Sequence, residues 1–154
     1  MSDPVKELVE LRELIENLDK RLIVILSTRL ALSVDFARVK QELKLRTKDT
    51  DRETILHQMY EQWATERDVE PKLVHRIFDL VLKASRNRQH DYLRENELKN
   101  HVSFKEAVSH GDATPEDEED WIERWHASDS TITLQQYLGY SKEEYQKFLT
   151  TRGD

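Results

Sequence analysis

The chain has 154 residues, 24 Lys+Arg against 31 Asp+Glu for a net charge of −7, three Gly, three Pro and no cysteine. That inventory excludes a disulfide framework, a thiolate metal site and a Gly-rich dinucleotide loop. With 36% charged and 37% hydrophobic residues, it is the composition of a soluble all-α protein of one domain plus a small appendage.

The charge is unevenly placed. Residues 1–94 hold 18 Lys+Arg and 17 Asp+Glu, a balance of +1, while residues 95–154 hold 6 and 14, a balance of −8. Neither part carries the basic stripe that nucleic acid requires, so no nucleic-acid partner is expected. No apolar run reaches the roughly 18 residues of a membrane span. The opening MSDPVKELVE lacks the basic start and apolar core of a secretion signal. A cytoplasmic location without membrane contact is the expectation.

Residues 5–45 contain neither Gly nor Pro, and apolar residues recur at heptad spacing: Leu8, Leu11, Ile15, Leu18, Leu22 and Ile25, then Leu32, Phe36, Val39 and Leu43. A helix of about 40 residues is roughly 60 Å long. That is too long for a compact domain of this size, with a radius of gyration of about 15 Å, to cover the stripe by itself. The pattern predicts a dimer with a second chain along the helix. After RTKDT, a second helix is predicted from Asp51 to Arg67 with Ile55, Met59 and Trp63 inward. Pro71 suits the first turn of a third helix, which runs to Leu98 and buries Leu73, Ile77, Leu80, Val81 and Ala84.

Residues 1–98 form the first predicted domain and residues 99–154 an acidic helical extension of unknown role. In the extension, Thr114 as N-cap and Pro115 at the first helical position predict a helix to His126. LQQYLGYSKEEYQKFL reads as two short helices, with Gly139 closing one and Ser141 and Glu144 capping the other. Seven of the 12 aromatics lie beyond residue 94, which calls for a packed surface rather than a disordered tail. His101, His110 and His126 are too scattered to hold a metal, and no metal or other cofactor is expected.

Several polar residues sit where the periodicity asks for something else. Arg29 falls at an apolar heptad position, where a guanidinium needs either a carboxylate from another helix or an anionic ligand. Lys40 follows 11 residues later, about 20° from a whole number of turns, so the two cations share a face. Arg12 precedes Arg29 by 17 residues and lies about 100° round the helix. It suits the pocket of a partner chain better than that of its own. Ser85 and Gln89, four apart, share a face of the third helix. Asp49 and Glu53, with Arg52 beside them, open the second helix; Asp49 or Thr50 is the cap, and Glu53 stands at the capping-box spacing from Thr50. Together these groups offer cations for carboxylates, a carboxylate for a hydroxyl and neutral donors for an ether or carbonyl. They include no nucleophile–base pair, which favours a reaction that needs none.

From about residue 8 to 92 the chain resembles an all-helical chorismate mutase of the bacterial class. The resemblance is carried by LRELIENLDKRLIVILSTR, RVKQE, DTDRE and SRNRQ. Arg12, Arg29, Lys40, Asp49, Arg52, Glu53, Ser85 and Gln89 fill the positions of that family's motif, in order and at its spacings. The resemblance implies an intertwined homodimer of three-helix chains that rearranges chorismate to prephenate at the entry to phenylalanine and tyrosine synthesis. It further implies that Arg29 and the partner subunit's Arg12 clamp the substrate carboxylates with help from Ser85. Lys40 and Gln89 would donate to the ether oxygen, Glu53 and the Asp49 backbone would hold the ring hydroxyl, and Arg52 would orient the site. The same fold also hosts isochorismate–pyruvate lyases, which lack the Asp-x-x-Arg-Glu element, and aminodeoxychorismate mutases. A non-catalytic helical dimeriser or chorismate sensor is an alternative of another class. The extension resembles neither prephenate dehydratase nor prephenate dehydrogenase. It is expected to be dispensable for chemistry and available to a partner protein or an effector.

Overall fold

The computed structural model describes residues 3–45 and 50–152. Among them the regular structure is helical throughout: α1 (Pro4–Glu42), α2 (Thr50–Glu66), α3 (Pro71–Asn100), α4 (Phe104–His110), a 3₁₀ turn at Pro115–Asp117, α5 (Glu118–Ala127), α6 (Leu134–Leu138) and α7 (Lys142–Arg152). No helix among the described residues is long and apolar enough to cross a membrane. The chain divides into two compact units, Met1–Gln89 and His90–Asp154, and the division falls within α3.

In the first unit, α1 begins where Asp3 accepts a hydrogen bond from the Val5 N–H and Pro4 occupies the first turn. It ends at Leu43, after which Lys44 adopts φ 55°. The buried apolar residues are Ala37, Tyr60, Ala64, Val81 and Leu82, joined by the polar Ser33, Ser85 and Gln89. Tyr60 of α2 stacks on Phe78 of α3 at 3.9 Å between ring centroids. His57 and His75 join the same two helices through an Nδ1–Nδ1 hydrogen bond of 2.9 Å.

The buried faces of α2 and α3 differ from those predicted. Ile55 and Trp63 are 48% and 47% exposed, Met59 is half-buried, and the fully covered residues are Tyr60 and Ala64, each one position after Met59 and Trp63. On α3, Leu73, Ile77 and Leu80 are exposed and Ala84 is half-buried, while Val81 is buried as predicted, together with Leu82, Ser85 and Gln89. One residue along a helix is a rotation of about 100°. Both helices carry apolar side chains over more than one face, and the faces covered within the chain are those that hold Tyr60, Ser85 and Gln89. The heptad stripe of α1 is also uncovered within the chain: Leu8, Ile15, Leu22 and Ile25 are 48–60% exposed.

The second unit has its own core of Phe104, Ile122 and Leu138, against which Trp121, Tyr140 and Phe148 pack. Helix α4, absent from the expectations above, is delimited by a Ser103–Glu106 capping box and by Gly111 at φ 81°. Beyond Thr114 the chain does not enter an α-helix directly. Thr114 and Asp117 form a capping box around the 3₁₀ turn, and α5 starts at Glu118. Ser141 and Glu144 bond reciprocally at the start of α7, with the Ser141 N–H donating at 2.8 Å and the Glu144 N–H donating to Ser141 Oγ at 3.1 Å. His101 is engaged by the Tyr137 carbonyl at 2.8 Å. Trp125 Nε1 donates to the Ile132 carbonyl at 3.0 Å. Glu97 collects Ser130 and Thr131; burial raises its carboxyl, but these hydrogen bonds outweigh burial and hold it below the usual range. Burial, followed by the Glu118 carboxylate that accepts its hydrogen bond, pushes the Tyr140 phenol up.

Gly139 ends α6 at φ 75°. A Cβ there would lie 2.4 Å from Ser103 Oγ and 2.7 Å from Ser103 Cβ, and Ser103 is buried while capping α4. Gly139→Ala therefore combines left-handed strain with a collision against a fixed cap. It is expected to cost about 1–3 kcal/mol. Urea unfolding followed by tryptophan fluorescence measures this, and a variant as stable as the parent would show that α4 and α6 do not meet at Ser103.

Candidate active site

Helices α1, α2 and α3 of the first unit enclose a cavity of about 420 Å³, within the range of small-molecule sites. Its charged lining is Arg29, Lys40, Arg52, Glu53 and Arg86, and its neutral polar lining is Ser33, Ser85 and Gln89. Leu32, Phe36, Leu56 and Leu82 supply the apolar wall. Among the described residues, four cations against one carboxylate line the cavity, a balance that favours an anionic ligand.

Each predicted residue reaches the cavity through helix geometry. Arg29 and Lys40 project from one face of α1, three turns apart, and both are half-buried. Arg29 Nη1 donates to Ser85 Oγ at 2.9 Å, and Nη2 approaches Tyr60 Oη at 3.5 Å. Both are neutral hydroxyls, so they orient the guanidinium without supplying a countercharge. Of the two partners open to Arg29 in the sequence, the helix-borne carboxylate is not the one these hydrogen bonds use.

Thr50 is already the first residue of α2 rather than its cap. The position before it, Asp49, lies outside the described residues, as do Arg46, Thr47 and Lys48. Glu53 does not reach back along its own helix. Its Oε1 accepts a hydrogen bond from Arg86 Nη1 of α3. Arg52, although exposed, lines the same cavity.

Ser85 and Gln89 come from α3, one turn apart, and both are buried. Gln89 Oε1 has no hydrogen-bond partner among the described residues. A buried amide oxygen without a partner costs about 1–3 kcal/mol, and such a group at the wall of a cavity is suited to meeting a ligand.

Six of the eight predicted residues thus line one cavity: Arg29, Lys40, Arg52, Glu53, Ser85 and Gln89. Arg12 does not. It is exposed on α1, and the 17 intervening steps place it about 25 Å along the axis from Arg29. Arg86, Tyr60 and Ser33 were not foreseen. Tyr60 lies seven residues after Glu53, two turns on the same face, and that spacing is a readable signal. Arg86 lies beside Ser85 but about 100° away round α3, and its role depends on a tertiary meeting with α2. Among the described residues, no group of three or more His, Asp or Glu is placed to hold a metal ion.

Residues 11–90 match the family described as chorismate mutase type II. A chorismate mutase of Methanocaldococcus jannaschii is 25% identical over 96 residues, which cover 62% of this chain and 97% of that protein. No solved structure gives a significant match.

Proposed function

The chain belongs to the chorismate mutase type II family, and from that premise we propose that the cavity lined by Arg29, Lys40, Glu53, Ser85 and Gln89 is where chorismate rearranges to prephenate. The activity is that of an isomerase. One observation carries the assignment of the site: residues from three helices, separated by up to 60 positions in the sequence, meet around one cavity with the charge pattern that this substrate requires.

The rearrangement is a one-molecule pericyclic shift in which a C–O bond breaks as a C–C bond forms. The catalyst has to hold the compact reactive conformer and to stabilise negative charge growing on the ether oxygen. Arg29, held by Ser85 and Tyr60, takes one substrate carboxylate, and Ser85 assists it. Lys40 and Gln89 donate to the ether oxygen. Glu53 accepts from the ring hydroxyl with help from the Asp49 backbone, and Arg52 orients the ring end. No group has to change its protonation state.

The second carboxylate falls to Arg12 of a neighbouring chain in a homodimer. Support for pairing comes from the exposed apolar faces. Leu8, Leu11, Ile15, Leu18, Leu22 and Ile25 are all about half exposed. Covering each contributes on the order of 1 kcal/mol, so the α1 seam alone offers several kcal/mol. Ile55, Trp63, Leu73, Ile77 and Leu80 present further apolar area. The partner subunit's Arg12 would then stand at the cavity that its own chain cannot reach. Residues 99–154 are proposed as an accessory unit with a surface for a partner or an effector.

The test is direct. Purified chain mixed with chorismate should consume it with saturation kinetics and yield prephenate. Loss of chorismate no faster than in buffer would remove the assignment.

A further inference from the structure

The pairing of Arg86 with Glu53 adds something that the reaction itself does not demand. Among the described residues, Glu53 is the one carboxylate lining the cavity. Its side chain is 24% exposed, and that of Arg86 is 32% exposed. Arg86 Nη1 donates to Glu53 Oε1, which fixes the carboxylate from the α3 side. A carboxylate can accept from more than one donor, so Oε1 can hold Arg86 while Oε2 accepts a hydrogen bond from the ligand. The Arg86 guanidinium already balances the charge of Glu53. A neutral donor such as a hydroxyl is therefore welcome there, whereas a second cation would face Arg86 at close range.

We infer that Arg86 is a specificity-determining residue: through its ion pair with Glu53 it makes the cavity select a ring hydroxyl over a ring ammonium, and so chorismate over its amino analogue, aminodeoxychorismate. This rests on the reading of the cavity as the mutase site. Arg86 acts through Glu53 and is a positioning residue for the rearrangement. Without the Arg86 guanidinium, Glu53 would lose the countercharge of its ion pair, and the ring end would become more favourable to an ammonium. Placing like charges together, or removing a countercharge, shifts such preferences by about tenfold or more.

The experiment compares kcat/KM for chorismate and aminodeoxychorismate in the parent protein and in Arg86→Gln, Arg86→Met and Arg86→Lys. Two neutral variants of different shape guard against one that folds poorly, and circular dichroism checks each. The parent should favour chorismate by at least about tenfold. Either neutral variant should move the ratio toward the amine by about tenfold, and Arg86→Lys should retain the parent's preference. A loss shared equally by both substrates, or a ratio within about twofold of the parent's in both neutral variants, overturns the inference and leaves the mutase reading standing. A parent protein that rearranges neither substrate overturns both.

Discussion

Lys40→Ala should lower kcat on chorismate by about 10²–10³ while the protein remains helical. The ether oxygen acquires negative charge only as the C–O bond stretches, so a cation aimed at it acts mainly on the transition state. Among the described residues, Lys40 is the lysine that lines the cavity, beside the cations Arg29, Arg52 and Arg86. Truncation at position 40 should therefore appear chiefly in kcat and only modestly in KM, the pattern of an interaction made in the transition state. The measurement is steady-state prephenate formation by the two proteins. A kcat within a few-fold of the parent's would mean that another group carries the ether oxygen's charge.

The second large effect concerns Arg12 and Arg29. Each single alanine variant should be nearly inactive alone, because every site would lack one carboxylate clamp. When the two variants are mixed and allowed to exchange subunits, activity should return. In a two-fold dimer a mixed pair has one site with both arginines and one with neither. Random pairing of equal amounts places half of the chains in mixed pairs, so about a quarter of the sites should recover. Arg12 is exposed on α1 and about 25 Å from Arg29 along the axis, which makes service to its own cavity geometrically remote. If exchange is demonstrated and activity does not rise above that of either variant, Arg12 does not act across subunits.

The sequence carries the helices α1, α2 and α3 to within about three residues at each end, because Gly and Pro are absent from their interiors and Pro71 marks an entry. It also carries the shared face of Arg29 and Lys40, since helical angles within one element need no tertiary knowledge. The covered faces of α2 and α3 were not legible. Both helices have apolar residues on more than one side, and periodicity does not say which side the chain's own helices cover. The result is Tyr60 and Ala64 inside where Ile55 and Trp63 were expected. The partner of Glu53 was hidden for a similar reason: a capping box with Thr50 is a local pattern, whereas Arg86 arrives from 33 residues away. Helix α4 was different. Ser103, Glu106 and Gly111 spell out its two ends, but the acidic run that follows is the louder feature.

Gln89 has a consequence for how this protein could change over generations. Its buried oxygen lacks a partner among the described residues, and a buried amide oxygen left in that state costs about 1–3 kcal/mol. An aliphatic side chain of similar size would relieve the penalty and take away the amide proposed to meet the substrate. On that proposal, position 89 would set robustness against activity. A lineage released from its metabolic duty would drift there toward leucine or methionine and become sturdier, while one still bound to that duty would keep the weakness and gather its stability elsewhere.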